Sequence, residues 1–420
     1  MRRLFIFLAI SLLPVGVKTQ DLQLRDCIQA ALMNNPLSGN KDLARQINES
    51  KKAIIRSAWL PVLDLNAQAT WQSDVVTLNL DLPFPVDFPQ IPRDQYKVTA
   101  DFNQIIYDGG SIRNQQILED ISSQLSVQEV EIKELELKQT VEDLFFAIIV
   151  LKKRTELVEL MSQSLRETLR QLSSGVKNGI ISESEIPVVN SEQIKIDQQL
   201  ISIQSLITRT INTLGILIGS PIDPATNFVV PENIAEPSDM SDRPEFQMFG
   251  LQLDLLDARK NLLSAQLRPK VIAFGQAGYG KPGLNFLGDQ WEPYLLVGLK
   301  GTWNVWDWGR VRRQRDTYSL SQKVINNQVE SFTRQITQAE QSQSSVISEI
   351  KALLLKDAEL LQNREEVTRA YTSKLNNGMI TASQFVTEWT HEQEARLSQE
   401  VRKIELLSAE YKLLSIKGKF

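Results

Sequence analysis

Cysteine and histidine are almost missing from these 420 residues: there is one of each, Cys27 and His391. A single cysteine forbids an internal disulfide. A single histidine without a cysteine partner cannot supply the usual zinc or iron ligand set, so no metal is expected. Asp26 precedes Cys27, where a lipidated cysteine needs a small residue. Cys27 therefore reads as a buried helix residue, and the chain as free of a lipid anchor. His391, between Thr390 and Glu392, reads as part of a solvated face. A basic excess is missing too: 46 Lys and Arg stand against 51 Asp and Glu. The net charge of −5 argues against a nucleic-acid partner. Beyond the N-terminus no apolar run reads as long enough for a transmembrane helix, so membrane entry would have to use a β-barrel. Nothing brings two carboxylates together for hydrolysis, and there is no phosphate loop. The expectation is no enzyme and no cofactor.

The first 20 residues hold a basic start, Arg2 and Arg3, an apolar run from Leu4 to Leu13, then Pro14 and a short polar exit. That is the layout of a secretory signal peptide. Losing Arg2, Arg3 and Lys18 with it would move the charge from −5 to −8.

What the chain does contain is itself, twice. Tyr107-Asp108-Gly109-Gly110 returns as Trp306-Asp307-Trp308-Gly309. Lys177-Asn178-Gly179-Ile180-Ile181-Ser182 returns as Asn376-Asn377-Gly378-Met379-Ile380-Thr381. Both recur at an offset of 199 positions, so one unit is used twice. The first repeat spans 21–219, the second 242–420, and a linker with four prolines spans 220–241.

Each repeat reads in the same order. Residues 21–60 are helical with a break at Asn34-Asn35-Pro36, Asp21 being placed to cap the first piece. After Pro61 the period becomes two. Leu63, Leu65, Ala67, Ala69 and Trp71 alternate with polar residues, and after the Pro83-Phe84-Pro85 stretch Tyr96, Val98, Ala100 and Phe102 do the same. The hairpin spans 62–107. In the second repeat it spans 270–306, with Val271, Ala273, Ala277, Tyr279, Leu295, Val297 and Leu299 on one face. Strands of about ten residues with one apolar face suit a bilayer, and Trp71 and Tyr279 suit an interfacial girdle. A half-buried soluble hairpin shows the same alternation.

Long helices follow, over 111–172 and 309–375. In the first, Leu144, Leu151, Val158, Leu165 and Leu172 recur every seven residues, accompanied by Val141, Ile148 and Leu169, as a coiled-coil seam. A soluble coiled-coil rod would share it. Gly179 and Gly378 stop these helices in the left-handed conformation. Ser182-Glu183-Ser184-Glu185 and Thr381-Ala382-Ser383-Gln384 both fit a capping box that starts the next helix. Pro187 should remove one donor and bend that helix. By length, helices of about 37 and about 24 residues stack beside a long one of about 62. The reading is α+β, mostly α, with long antiparallel helices and two β-hairpins.

Leu24-x-x-Cys-Ile-x-x-Ala-Leu-x-Asn-Asn-Pro36, the two Asp-containing strand-end motifs and the two Asn-Gly turns resemble the TolC-type outer membrane efflux family. The resemblance covers the chain after the signal peptide, in order, in both repeats. It implies a homotrimer whose chains give four strands each to a 12-stranded membrane barrel, above an α-barrel in the periplasm of a Gram-negative bacterium. It implies a passive exit duct of a tripartite efflux or type I secretion system, in outer membrane lipid. The partners would be a periplasmic adaptor (membrane fusion) protein and an inner-membrane pump of resistance-nodulation-division or ABC type. Gly179, Ile180, Ser182, Gly378, Met379 and Thr381 would be adaptor-contacting tips. Glu183, Glu185, Gln384, Thr387 and Glu388 are candidates for a pore constriction, although family members with carboxylates just past the second turn differ from Gln384 and Thr387 here. The alternative is a periplasmic coiled-coil adaptor or structural protein.

Overall fold

A computed structural model describes residues 21–75, 92–179, 181–231, 242–285 and 288–418. The expected signal peptide, the Pro83-Phe84-Pro85 stretch, Ile180 and linker residues 232–241 lie outside these.

Among the described residues there are seven α-helices and four strands: α1 (Leu24–Asn34), α2 (Asn40–Ser57), β1 (Val62–Trp71), β2 (Asp94–Tyr107), α3 (Ser111–Lys177), α4 (Glu185–Ile218), α5 (Pro244–Ala265), β3 (Lys270–Lys281), β4 (Glu292–Thr302), α6 (Arg310–Asn376) and α7 (Ala382–Ile416). The break at Asn34 is real, a 3-10 turn over Pro36–Gly39. α3 and α6 each run 67 residues, about 100 Å. The second hairpin ends at Thr302, earlier than its sequence suggested. The length match is looser than expected, since α2 has 18 residues and α4 has 34.

The compact units do not follow the repeats. One holds the residues up to Ser38, Ile132–Arg243 and Arg334–Phe420; the other holds Gly39–Glu131 and Pro244–Thr333.

In the first unit the predicted seam of α3 is the core. Val141, Ile148, Leu151, Val158, Leu165 and Leu172 are buried, with Leu144 and Leu169 half-buried against them. α4 answers with Val189, Ile196 and Ile203 at the same spacing of seven, then Ile207, Ile211 and Leu214. Between α6 and α7 ion pairs dominate: Arg402–Asp357 at 2.6 Å, Arg396–Glu365 at 2.7 Å and Lys351–Glu410 at 2.9 Å. Cys27 is fully buried on α1, and burial pushes its thiol up to about 12. The Asn34 amide donates to the carbonyls of Ile216 and Leu217 and so closes α4. Gly219 follows at φ 76, where a Cβ would strike Asn34. Two expectations fail here. Asp21 does not cap α1; its carboxylate accepts from Asn227, and Leu22 bridges to Phe228 in the linker. α4, moreover, is long and apolar enough to cross a membrane by length and composition. It is apolar because it packs on one face and exposes Ile194, Ile201 and Ile216 elsewhere.

The second unit carries the sheet, in strand order β1-β2-β3-β4, all antiparallel. The register aligns the alternating faces. Leu65, Ala100, Ala277 and Leu295 form one row, and Leu63, Phe102, Gly275 and Val297 the next. The apolar face is therefore continuous over four strands, with Leu63, Leu65, Leu295, Val297 and Leu299 exposed. On the opposite face Asp101 accepts from Asn66 at 2.7 Å, Thr99 at 2.8 Å and Gln276 at 2.5 Å. Tyr294 lies over Gly278 and Phe274 over Gly298, so each aromatic ring covers the bare backbone opposite it. The register puts Tyr279 level with Ala67 and not with Trp71. Equal distances from Pro61 and Pro269 did not mean equal height, because the strands are staggered.

Candidate functional site

The repeated motifs gather at two places: the strand-to-helix junctions and the helical turns. At both junctions an aspartate spans the start of the long helix. Asp108 accepts from the amides of Gly110 (2.8 Å) and Ile112 (2.5 Å). Asp307 accepts from Gly309 (2.9 Å) and Val311 (2.8 Å). One carboxylate thus satisfies two amides at the helix start, which explains the spacing of Asp-x-Gly. The amide bonds of Val311 and Gly309 hold the Asp307 carboxyl below the usual range. Gly109 takes φ 72, and a Cβ there would meet Arg268 at 2.8 Å.

The two helical turns share a backbone and differ in their caps. Gly179 and Gly378 take φ 70 and 69. In the second turn Gly378 N donates to Leu375 O at 3.0 Å and Met379 N to Lys374 O at 2.9 Å, a Schellman closure. In the first, Gly179 N donates to Val176 O at 3.0 Å and Ile181 N to Gly175 O at 3.4 Å.

Only the second capping box forms. Thr381 Oγ1 accepts from Gln384 N at 3.2 Å, and Gln384 Oε1 accepts from Thr381 N at 3.1 Å. The first box does not form: α4 starts at Glu185, its N-cap Ser184 makes no side-chain cap, and Ser182 Oγ bonds Ser184 Oγ at 2.8 Å. Glu185 points elsewhere. Its Oε2 accepts from the Ala382 amide at 2.7 Å, at the start of the other repeat's helix. A charged acceptor finds a second helix N-terminus within reach and takes it over its own. Pro187 is the third residue of α4, in a first turn whose amides have no intrahelical partner, so it deletes no bond.

The candidate residues therefore separate. Gly179, Ser182, Gly378, Met379 and Thr381 lie together in the two turns, with Met379 72% exposed. Gln384 and Glu185 are engaged in caps. Glu388 accepts from Arg364 at 3.0 Å and faces His391 at 3.8 Å. Thr387 is exposed, its hydroxyl turned back to Ser383 O. Glu183 is exposed. His391 is half-exposed, with Nδ1 turned inward, so the solvated-face expectation holds only in part.

A titratable group that sequence reading missed is Glu142 on α3, 4% exposed. Burial, then Asp143, pushes its carboxyl up to about 8, with Lys412 opposing. Glu142 follows Val141 on the seam, and nothing in the heptad pattern separated it from the solvated acids of α3.

The outer membrane efflux protein family profile matches residues 27–220. No curated protein sequence matches the chain. Among solved structures, the outer membrane protein VceC of Vibrio cholerae superposes with TM-score 0.67 at 17% identity, covering 93% of this chain and 96% of its own. The open-state MtrE outer membrane channel of Neisseria gonorrhoeae gives 0.67 at 18%, covering 93% and 88%. The CmeC outer membrane channel of Campylobacter jejuni gives 0.67 at 14%, covering 94% and 84%. At these identities the likeness is one of fold.

Proposed function

We propose that the chain is a member of the outer membrane efflux protein family, whose profile matches residues 27–220, and that it forms a passive exit duct through the outer membrane as a homotrimer. The observation that carries this is the sheet. Its apolar face is exposed and continuous, its other face is polar, and β1 and β4 are its outer strands. Unpaired strand edges cannot face lipid, so insertion requires β4 of one copy to meet β1 of another until a ring closes. Family channels are homotrimers that work with a periplasmic adaptor and an inner-membrane pump, and are passive. Energy for export comes from the pump; the duct supplies a water-filled path.

For the adaptor contact we propose the two turns, Gly179, Ile180 and Ser182 with Gly378, Met379 and Thr381. Their exposed residues and fixed closures support a preformed docking edge. For the constriction, Glu183 is favoured over the other candidates, because Glu185, Gln384 and Glu388 already hold partners.

Extraction from membranes tests the reading. The protein should need detergent and run as a heat-sensitive trimer, with channel conductance in planar bilayers. Purification as a soluble monomer would overturn it.

A further inference from the structure

The second junction departs from its copy in a concerted way. At the offset of 199, Gln104, Tyr107 and Gly109 are replaced by Trp303, Trp306 and Trp308. Ser111, Asn114 and Gln116 are replaced by Arg310, Arg313 and Arg315, and Arg113 matches Arg312. Three tryptophans and three arginines are thus gained in one stretch of 13 residues.

Two of these changes work against local stability. Trp308 takes φ 57, the left-handed region that its copy fills with Gly109. Four arginines in the first turns of α6 oppose the positive end of the helix dipole. Nor are these side chains buried in compensation. Trp306 is 73% and Trp308 79% exposed, and Arg310, Arg312, Arg313 and Arg315 are exposed as well. Within the unit, Arg313 donates to Trp308 O at 2.7 Å, and the Trp303 indole to Leu267 O at 3.0 Å. Both engage backbone carbonyls; Trp306 and Trp308 also meet edge to face at 5.8 Å, and the pair as a whole stays exposed.

The patch has a defined place. β4 ends at Thr302, and Trp303 and Val305 keep the phase of Leu295, Val297 and Leu299 on the apolar face. Trp59 and Tyr107, also exposed, lie at the same end of the sheet. The other end has its own aromatics, Trp291 stacked on Tyr279 at 5.3 Å and on Tyr96 at 6.1 Å. The end with the arginines leads into the helices and so faces the periplasm.

We propose that Trp303, Trp306 and Trp308 with Arg310, Arg312, Arg313 and Arg315 form a docking surface for anionic phospholipid headgroups of the inner leaflet. Indole rings sit at the headgroup level of a bilayer, and guanidinium forks pair with phosphate oxygens just outside it. The surface is continuous with the lipid-facing side of β4, and its charge complements an acidic lipid. In the trimer it occurs once per chain, at the second junction only, so the duct would hold three such lipid clusters. The proposal rests on the membrane reading above.

The test is thermal unfolding of the trimer in detergent, in phosphatidylcholine vesicles, and in vesicles that also contain phosphatidylglycerol. Phosphatidylglycerol should raise the midpoint by about 5 °C, and high salt should abolish the rise. The triple variant Arg312→Gln, Arg313→Gln, Arg315→Gln should lose the rise, with a phosphatidylcholine midpoint no lower than that of the native protein, because the helix start is relieved of three like charges. Trp308→Gly should raise the detergent midpoint, by relieving the backbone, and reduce the phosphatidylglycerol effect. A full rise in the triple variant, or equal midpoints for the native protein in both vesicles, overturns the proposal. Failure to form a detergent trimer or to enter either vesicle overturns the membrane reading itself, and the proposal with it.

Discussion

The Glu185 carboxylate is the residue whose behaviour the sequence could not foretell. Ser182-Glu183-Ser184-Glu185 satisfies the capping pattern as well as its copy does, yet the carboxylate crosses to the Ala382 amide. A local motif states which acceptor is available and not which donor is nearest in three dimensions. Glu185→Ala should leave one helix start short of an acceptor, at a cost of about 1 kcal/mol. Hydrogen exchange at the Ala382 amide should then speed about fivefold to tenfold, and an unchanged rate would show that the contact carries no weight. Glu142 gives the second residue-scale prediction. Its folded carboxyl is raised to about 8 by burial, so the folded state binds a proton that the unfolded chain releases near the ordinary 4.5. Stability on its account is whole below about 4.5 and declines as pH rises through about 8. Glu142→Gln should leave the melting point at pH 4 unchanged and raise it at pH 9, where the gain in stability should be on the order of a few kcal/mol. A variant that gains nothing at high pH would mean the carboxyl is hydrated. Cys27 and the Asn34-Asn35-Pro36 break were legible in advance, because burial and proline geometry are local. That Asn34 closes α4 was not, since its acceptors lie 182 and 183 residues away.

Helices and strands were largely legible because period is a property of short windows. The switch from helical spacing to alternation at Pro61 and Pro269 marks the starts of β1 and β3 within a residue. What failed was the expectation that no run beyond the N-terminus is long and apolar enough to cross a membrane: α4 is, because Ile194 and Ile201 repeat the spacing of seven outside its packed face. α6 shows a similar exposed row, Val346, Leu353, Leu360 and Val367. Such rows are coiled-coil seams that lack a partner within the chain, and neighbouring copies in the trimer would supply it. Two residues of α4 separate the roles. Ile203→Lys places a charge in the closed seam and should cost about 3 kcal/mol or more, unfolding the unit. Ile201→Lys should leave protomer helicity intact and weaken the trimer. Circular dichroism and sedimentation in detergent distinguish them. A trimer unaffected by Ile201→Lys would show that this row faces water or lipid.

At the scale of the molecule, the duplication at 199 positions predicted two equivalent halves, and the compact units show that the halves interlock, since each unit takes segments from both repeats. No window of sequence contains that arrangement; it follows from which seams find each other. The remaining question is how the sheet ends. Among the described residues its order β1-β2-β3-β4 leaves β1 and β4 each with one unpaired edge. Cys27 makes this directly testable. It is fully buried with its thiol pushed up to about 12, so it stays unreactive while a new surface cysteine reacts. A chain with Lys300→Cys on β4 and one cysteine placed in turn along β1, from Val62 to Trp71, presents both edges to its neighbours. If β4 of one copy pairs with β1 of the next, mild oxidation should link chains at one or two β1 positions of matching register and at no others. A closed ring of three should give a covalent trimer as the largest species under denaturing, non-reducing conditions. Bands beyond the trimer would mean an open or larger ring. Monomers alone at every position would mean the edges meet no copy, and the exposed apolar face would need another explanation.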